Sequence, residues 1–153
     1  MHPHTYRVEL RLRHAQADLS ELGAHLEIDP SHSRCWRAGD PRVTPKGTVL
    51  PGVRRESSWA TDLTPGASPR SSEDERLEDL LESQLDRLAE YAGALRALRD
   101  DGGRAEFFIG LFCDANTGLI LTPSLMAKAA ALGIEFGFDI YPPDPPRAVE
   151  VPA

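Results

Sequence analysis

The sequence predicts an α+β domain of the ferredoxin-like, split βαβ kind (β-α-β-β-α-β), extended by one added C-terminal α-β unit. Three observations carry this. Residues 5–13 alternate strictly between apolar or aromatic and charged side chains, which is the period of a half-buried strand. A leucine stripe at helical spacing runs from Leu77 to Leu98. Between Phe107 and Cys113 the chain is apolar on both strand faces, and a helical and then an alternating segment follow it.

Taken in order, the first strand places Tyr6, Val8, Leu10 and Leu12 on one face and Arg7, Glu9, Arg11 and Arg13 on the other. Asp18 is suited to cap a short helix carrying Leu19, Leu22 and Leu26. Asp29-Pro30 closes that unit, because the residue before proline is pushed out of the helical region. A short strand is expected around Arg34–Arg37, then a long exposed loop up to Pro51-Gly52, punctuated by Gly39, Pro41, Pro45 and Gly47. A mixed sheet lacking the short strand near Cys35 fits the same signals.

A second strand is expected over Val53–Thr61, with Val53, Arg55, Ser57 and Trp59 sharing a face. Its polar content suggests an edge or partly exposed position. Residues 64–71 read as a linker. Ser72 and Glu75 form the pattern of a capping box opening the longest helix, with Glu73 and Asp74 at its positive end. Asp100-Asp101-Gly102-Gly103 stops that helix.

Ala105–Cys113 reads as a strand covered on both sides. Residues Asp114–Gly118 are turn chemistry, Thr122-Pro123 starts a third helix, Gly133 ends it, and Ile134, Phe136, Phe138 and Ile140 form a last strand. One domain over residues 1–141 is expected, followed by a proline-rich, poorly ordered tail over 142–153.

Composition bounds the function. The net charge of −7 over 153 residues disfavours nucleic acid and anionic membranes as partners. The charge is uneven: the first 60 residues hold nine basic against seven acidic side chains, the remainder eight against seventeen. The apolar run that ends at Cys113 is far too short to span a bilayer, and no basic-then-apolar leader opens the chain. Two cysteines without framework spacing, Cys35 and Cys113, suit a reducing, cytoplasmic setting.

No motif supplies a catalytic set. His32 and Cys35 have metal-ligand spacing but no second pair, so no metal is expected. Asp114-x-Asn116-x-Gly118 lacks the acidic terminus of a calcium loop, since Leu125 stands there. Pro45-Lys46-Gly47-Thr48 lacks the order of a phosphate loop, and Ser57-Ser58 has no sequence-linked histidine. No catalytic residue and no cofactor are expected.

One constellation stands out. Arg34, Arg37, Arg42, Lys46, Arg54 and Arg55 cluster in sequence near Trp36 and Trp59, and guanidinium forks beside indoles suit an anion or an acidic protein surface. The competing explanation is a solvated rim of arginines above core tryptophans. The candidate binding residues are therefore Arg34, Arg37, Lys46, Arg54, Arg55 and Trp59.

Over roughly residues 5–141 the chain resembles the bacterial family called domain of unknown function 4279. The likeness lies in Ile28-Asp29-Pro30, Lys46-Gly47, Ser57-Ser58-Trp59, Leu119–Leu121, and Gly133-Ile134 leading to Asp139-Ile140-Tyr141. The resemblance implies a bacterial α+β domain and no particular activity. The expectation is thus a non-enzymatic, immunity-like domain that binds another protein. An anionic-ligand binder or enzyme using the arginine-rich loop is the alternative, and pairing into a homodimer is a separate expectation about assembly.

Overall fold

The computed structural model describes residues 2–145. The main sheet is built on β1 (Thr5–His14), which lies between β5 (Ser57–Asp62) and β7 (Arg104–Phe112), antiparallel to both. Outside β5 lies β2 (Ser33–Trp36), again antiparallel; outside β7 lies β8 (Ile134–Tyr141), which is parallel. The order is β2-β5-β1-β7-β8, and the two-residue β6 (Arg70–Ser71) pairs with the start of β1. The fold class is mixed α+β, as expected.

The alternation of β1 decides where the core sits. Tyr6, Val8, Leu10 and Leu12 are wholly buried, together with Phe107, Ile109 and Leu111 of β7 and Trp59 of β5. Against this face pack α1 (Ser20–Leu26), α2 (Leu77–Leu88), α3 (Ala92–Asp100) and α4 (Pro123–Leu132). The leucine stripe supplies their contribution: Leu77, Leu81, Leu85, Leu88 and Leu95 are at most 1% exposed. Each such side chain removed from water contributes roughly 1.5–3 kcal/mol. The parallel β7–β8 pair needs a crossover, and α4 provides it. Thr122 Oγ1 accepts from Leu125 N, Pro123 follows the cap, and Gly133 closes the helix with φ +66°.

Several expectations need correction. Residues 41–53 are not a loop: β3 (Pro41–Val43) and β4 (Val49–Val53) form a separate hairpin. Its turn is closed by Thr44 N donating to Thr48 O and Gly47 N to Thr44 O, with Gly47 at φ +85°. The Gly and Pro residues shape this turn instead of breaking order.

Val53 therefore belongs to β4 and not to the strand of Trp59, which begins at Ser57. That strand is interior. Its polar residues are buried because they are paired: Ser33 Oγ donates to Thr61 Oγ1 at 2.9 Å, and Ser57 Oγ accepts from Ala38 N at 3.0 Å. The linker over 64–71 likewise ends in β6.

No capping box forms. Ser72 Oγ accepts from His4 N, the Glu75 carboxylate pairs with Arg70, and the helix starts at Leu77. It is also two helices, separated by a 3₁₀ turn over Ala89–Tyr91 that leaves the apolar stripe continuous. The last correction concerns β7. Among the described residues helices cover only one of its faces, and Phe108 and Phe112 lie half-buried on the other with no second layer over them. Of the tail expected over 142–153, residues from 146 onward lie outside the described residues.

Gly23 of α1 is buried directly against Trp59, and a Cβ there would collide with the indole. Gly23→Ala is expected to cost about 1–3 kcal/mol in urea denaturation, as overpacking does. Gly93→Ala, on the exposed side of α3 with nothing within 4 Å, is expected to stabilise by about 0.5–1 kcal/mol in the same assay.

Candidate functional site

The face of the sheet opposite the helices is the candidate site. Register fixes its contents: Arg11 of β1 lies opposite Glu106 of β7 and Ala60 of β5, and Arg7 opposite Gly110. On β7 and β8, Phe108 is level with Gly137 and Phe112 with Tyr141. Charged side chains of the first strand and outward aromatics of the seventh thus share one surface.

The charges on this surface are tied together through Glu9. Its carboxylate accepts a bidentate pair from Arg34, at 2.9 and 3.0 Å, and a third bond from Arg11 Nε at 2.8 Å. Burial works against the ionised form, but these hydrogen bonds and the two positive charges outweigh it and hold the Glu9 carboxyl below its ordinary range. The bond to Glu9 raises Arg34 in turn.

Held by Glu9, Arg11 lies with its guanidinium carbon 3.7 Å from the centre of the Phe108 ring. Phe112 and Tyr141 stack nearly parallel, with centroids 4.9 Å apart, and the Tyr141 hydroxyl donates to Asp139 at 2.6 Å. Arg7 donates to Gly66 O and Ala67 O, at 3.1 and 3.0 Å, anchoring the loop beyond β5.

These groups enclose a cavity of about 190 Å³, lined by Arg7, Glu9, Arg11 and Asp62 on one side and Phe108, Gly110, Phe112 and Tyr141 on the other. Gly110 keeps the floor open, since a side chain there would fill the space beside Phe112 and Tyr141. The arrangement offers an aromatic shelf, guanidinium donors and carboxylate acceptors. It can seat an apolar or planar group and hydrogen-bond around it. Its lining includes no histidine, serine, threonine or cysteine.

The sequence-nominated residues are dispersed. Arg34 is on the open face, spent on Glu9. Arg54 stacks over the Trp36 ring at 4.0 Å. Arg37 is exposed in the turn after β2, Lys46 in the hairpin turn, and Arg55 between β4 and β5 beside Arg13 and Glu56. Trp59 faces the opposite way, into the core at 2% exposure. Of the six, Arg55 lines a surface depression, together with Arg13, His14 and Arg104. The residues that sequence reasoning missed are Phe108, Phe112 and Tyr141. One signal could have found them: pairing the half-charged β1 with the doubly apolar β7 forces Phe108 and Phe112 onto the arginine face.

The fold and this surface define a mixed α+β domain with a one-sided helical layer and an open, aromatic-bearing sheet face. The chain belongs to the family described as "Domain of unknown function (DUF4279)", whose model matches residues 4–143. No curated protein and no solved structure matches it.

A carboxylate whose folded-state pKa is depressed stabilises the fold above its unfolded value and loses that contribution as pH falls. For Glu9 the loss starts below about 4.5. The urea midpoint of the wild type is therefore expected to fall more steeply between about pH 5 and pH 3 than that of Glu9→Gln. Parallel acid limbs would show that the Glu9 cluster adds nothing to stability.

Proposed function

We propose that the chain is a non-enzymatic protein-binding domain that receives its partner on the open sheet face. The observation that carries this is the patch of Phe108, Phe112 and Tyr141, interleaved with Arg7 and Arg11 and left without a covering layer among the described residues. Aromatic side chains and arginine are the residue types enriched at the centres of protein interfaces, where a few desolvated anchors dominate affinity. The partner that fits presents an apolar side chain to the cavity and a polar rim to Arg13, Glu106 and Asp139. Masking of another protein's active surface, as an immunity protein does, is the mode this suits.

The finer topology belongs to this proposal. The order β2-β5-β1-β7, antiparallel throughout, supports reading it as a ferredoxin-like split βαβ sandwich to which α4 and β8 add a parallel strand. Sandwiches of this kind leave one sheet face free for binding. A bacterial, cytoplasmic setting accords with the two unpaired cysteines. Among the described residues no helix is long and apolar enough to cross a membrane.

A second reading concerns assembly. Edge strand β8 exposes Phe138, Ile140 and Tyr141, by 37%, 59% and 47%, and an apolar edge of this kind suits pairing with a second copy. Light scattering at micromolar concentration decides it: twice the chain mass supports the homodimer, and a single-chain mass removes it.

The main proposal is tested by affinity capture from source-cell lysate, with the wild type and Phe112→Ser/Tyr141→Ser as paired baits. The expected result is a stoichiometric protein retained by the wild type and bound roughly thirtyfold more weakly by the variant, as loss of about 2 kcal/mol of hot-spot energy requires. Equal retention by both baits, with both folded by circular dichroism, would move the docking surface elsewhere.

A further inference from the structure

A separate cavity of about 440 Å³ opens at the end of β5, between the 3₁₀ turn Pro30–His32 and α2. Its size is within the range that takes small molecules. Its two walls differ chemically.

One wall carries Asp29 and Asp62. Asp62 Oδ1 accepts both Thr64 N and Thr64 Oγ1, which leaves Oδ2 unspent among the described residues. Asp29 Oδ1 accepts from Ser31 N and Ser31 Oγ, while Oδ2 lies 3.3 Å from His32 Nδ1. Each carboxylate is oriented by bonds to one oxygen; the second oxygen of Asp62 is free among the described residues, and that of Asp29 faces His32.

The second wall is α2, with Leu80, Ser83 and Gln84, and beside it Arg70 and Glu75. Gln84 is only 9% exposed. Its Oε1 accepts from Arg87 Nε at 2.9 Å, and Arg87 is itself held by donating to Leu26 O. That network fixes the amide orientation, and the amide nitrogen donates to no acceptor among the described residues. The side chain is buried but this nitrogen still meets solvent, so it is available to an acceptor in the cavity. Arg70 spends Nη1 on Glu75 at 2.6 Å. The apolar part of the lining is Leu63, Leu80 and Pro65, with Ile28 65% exposed at the rim.

The lining thus sets Asp29, Asp62 and Glu75 against Arg70 and His32, with the Gln84 amide and apolar surface between them. We propose that this cavity binds a free α-amino acid with an apolar side chain. Its ammonium lies between Asp29 and Asp62, its carboxylate takes the Gln84 amide and Arg70, and its side chain covers Leu63 and Leu80 beneath Ile28. A simple anion meets the wrong net charge, and a simple amine makes no use of the Gln84 amide and Arg70. The site is independent of the sheet-face reading, although Asp62 borders both cavities, so the test leaves Asp62 unchanged.

The test is calorimetry and amide chemical-shift mapping on the intact chain with L-leucine, 4-methylpentanoate and L-leucinamide as probes. L-leucine is expected to bind, with shifts concentrated at Ile28–His32, Asp62–Leu63 and Leu80–Gln84. The carboxylate-only and ammonium-only probes are expected to bind at least tenfold more weakly, about 1.4 kcal/mol. Asp29→Asn, which keeps the oxygen that accepts from Ser31, and Gln84→Met should each weaken L-leucine by a similar factor while the unfolding temperature stays within about 4 °C of the wild type. No leucine binding up to about 10 mM overturns the proposal. Leucinamide binding as tightly as leucine also overturns it, and points to a peptide N-terminus; so does indifference of both folded variants.

Discussion

Strand β1 is paired along both of its edges, to β5 and β6 on one side and β7 on the other, and its side chains alternate without exception from Tyr6 to Arg13. Because a strand has a period of two, a one-residue slip would carry four charged side chains into the core and expel Tyr6, Val8, Leu10 and Leu12. That penalty is far larger than the net stability of a typical domain. The register of β1 therefore fixes those of its neighbours, and with them the separation of a helical side from an open side.

The open side bears the electrostatic consequences of the same constraint. Arg7, Glu9, Arg11 and Arg13 have to face out together, and five strands place other ionisable groups beside them. Glu9 satisfies Arg11 and Arg34 at once, and Arg104 pairs with Glu135 across to β8. Exposed pairs of this kind contribute little each, but the shared carboxylate orients two guanidinium groups for one side-chain ordering cost. Arg11 over Phe108 then shields an aromatic ring that has no helix to cover it.

Much of the fold was legible because several segments state their structure locally. β1, β8, α1 and α4 carry their periodicity in full, with Thr122-Pro123 and Gly133 bounding α4 within a residue. The failures fall where tertiary pairing overrides local chemistry. Ser72 and Glu75 have the pattern of a capping box, but His4 and Arg70 take those side chains from other parts of the sheet. Ser57 and Thr61 resemble an exposed edge, yet buried partners satisfy them. The candidate site was less legible still. Proximity in sequence grouped the arginines, while strand alternation sends Trp59 inward and Arg34 outward. Phe108 and Phe112 look like core residues until the absence of a second layer is known, and no local signal encodes a missing layer.

The position of β1 in the chain also bears on how the protein is made. Its partners on β5 are about fifty residues further along, and those on β7 about a hundred. During synthesis at roughly 5–20 residues per second, the four apolar side chains of β1 wait for several seconds before both edges can be closed. Through that interval the strand is an open template for pairing with other chains. The alternating Arg7, Glu9, Arg11 and Arg13 are the charged gatekeepers that oppose such pairing. The same residues that furnish the outer surface of the finished domain thus guard the nascent one against aggregation.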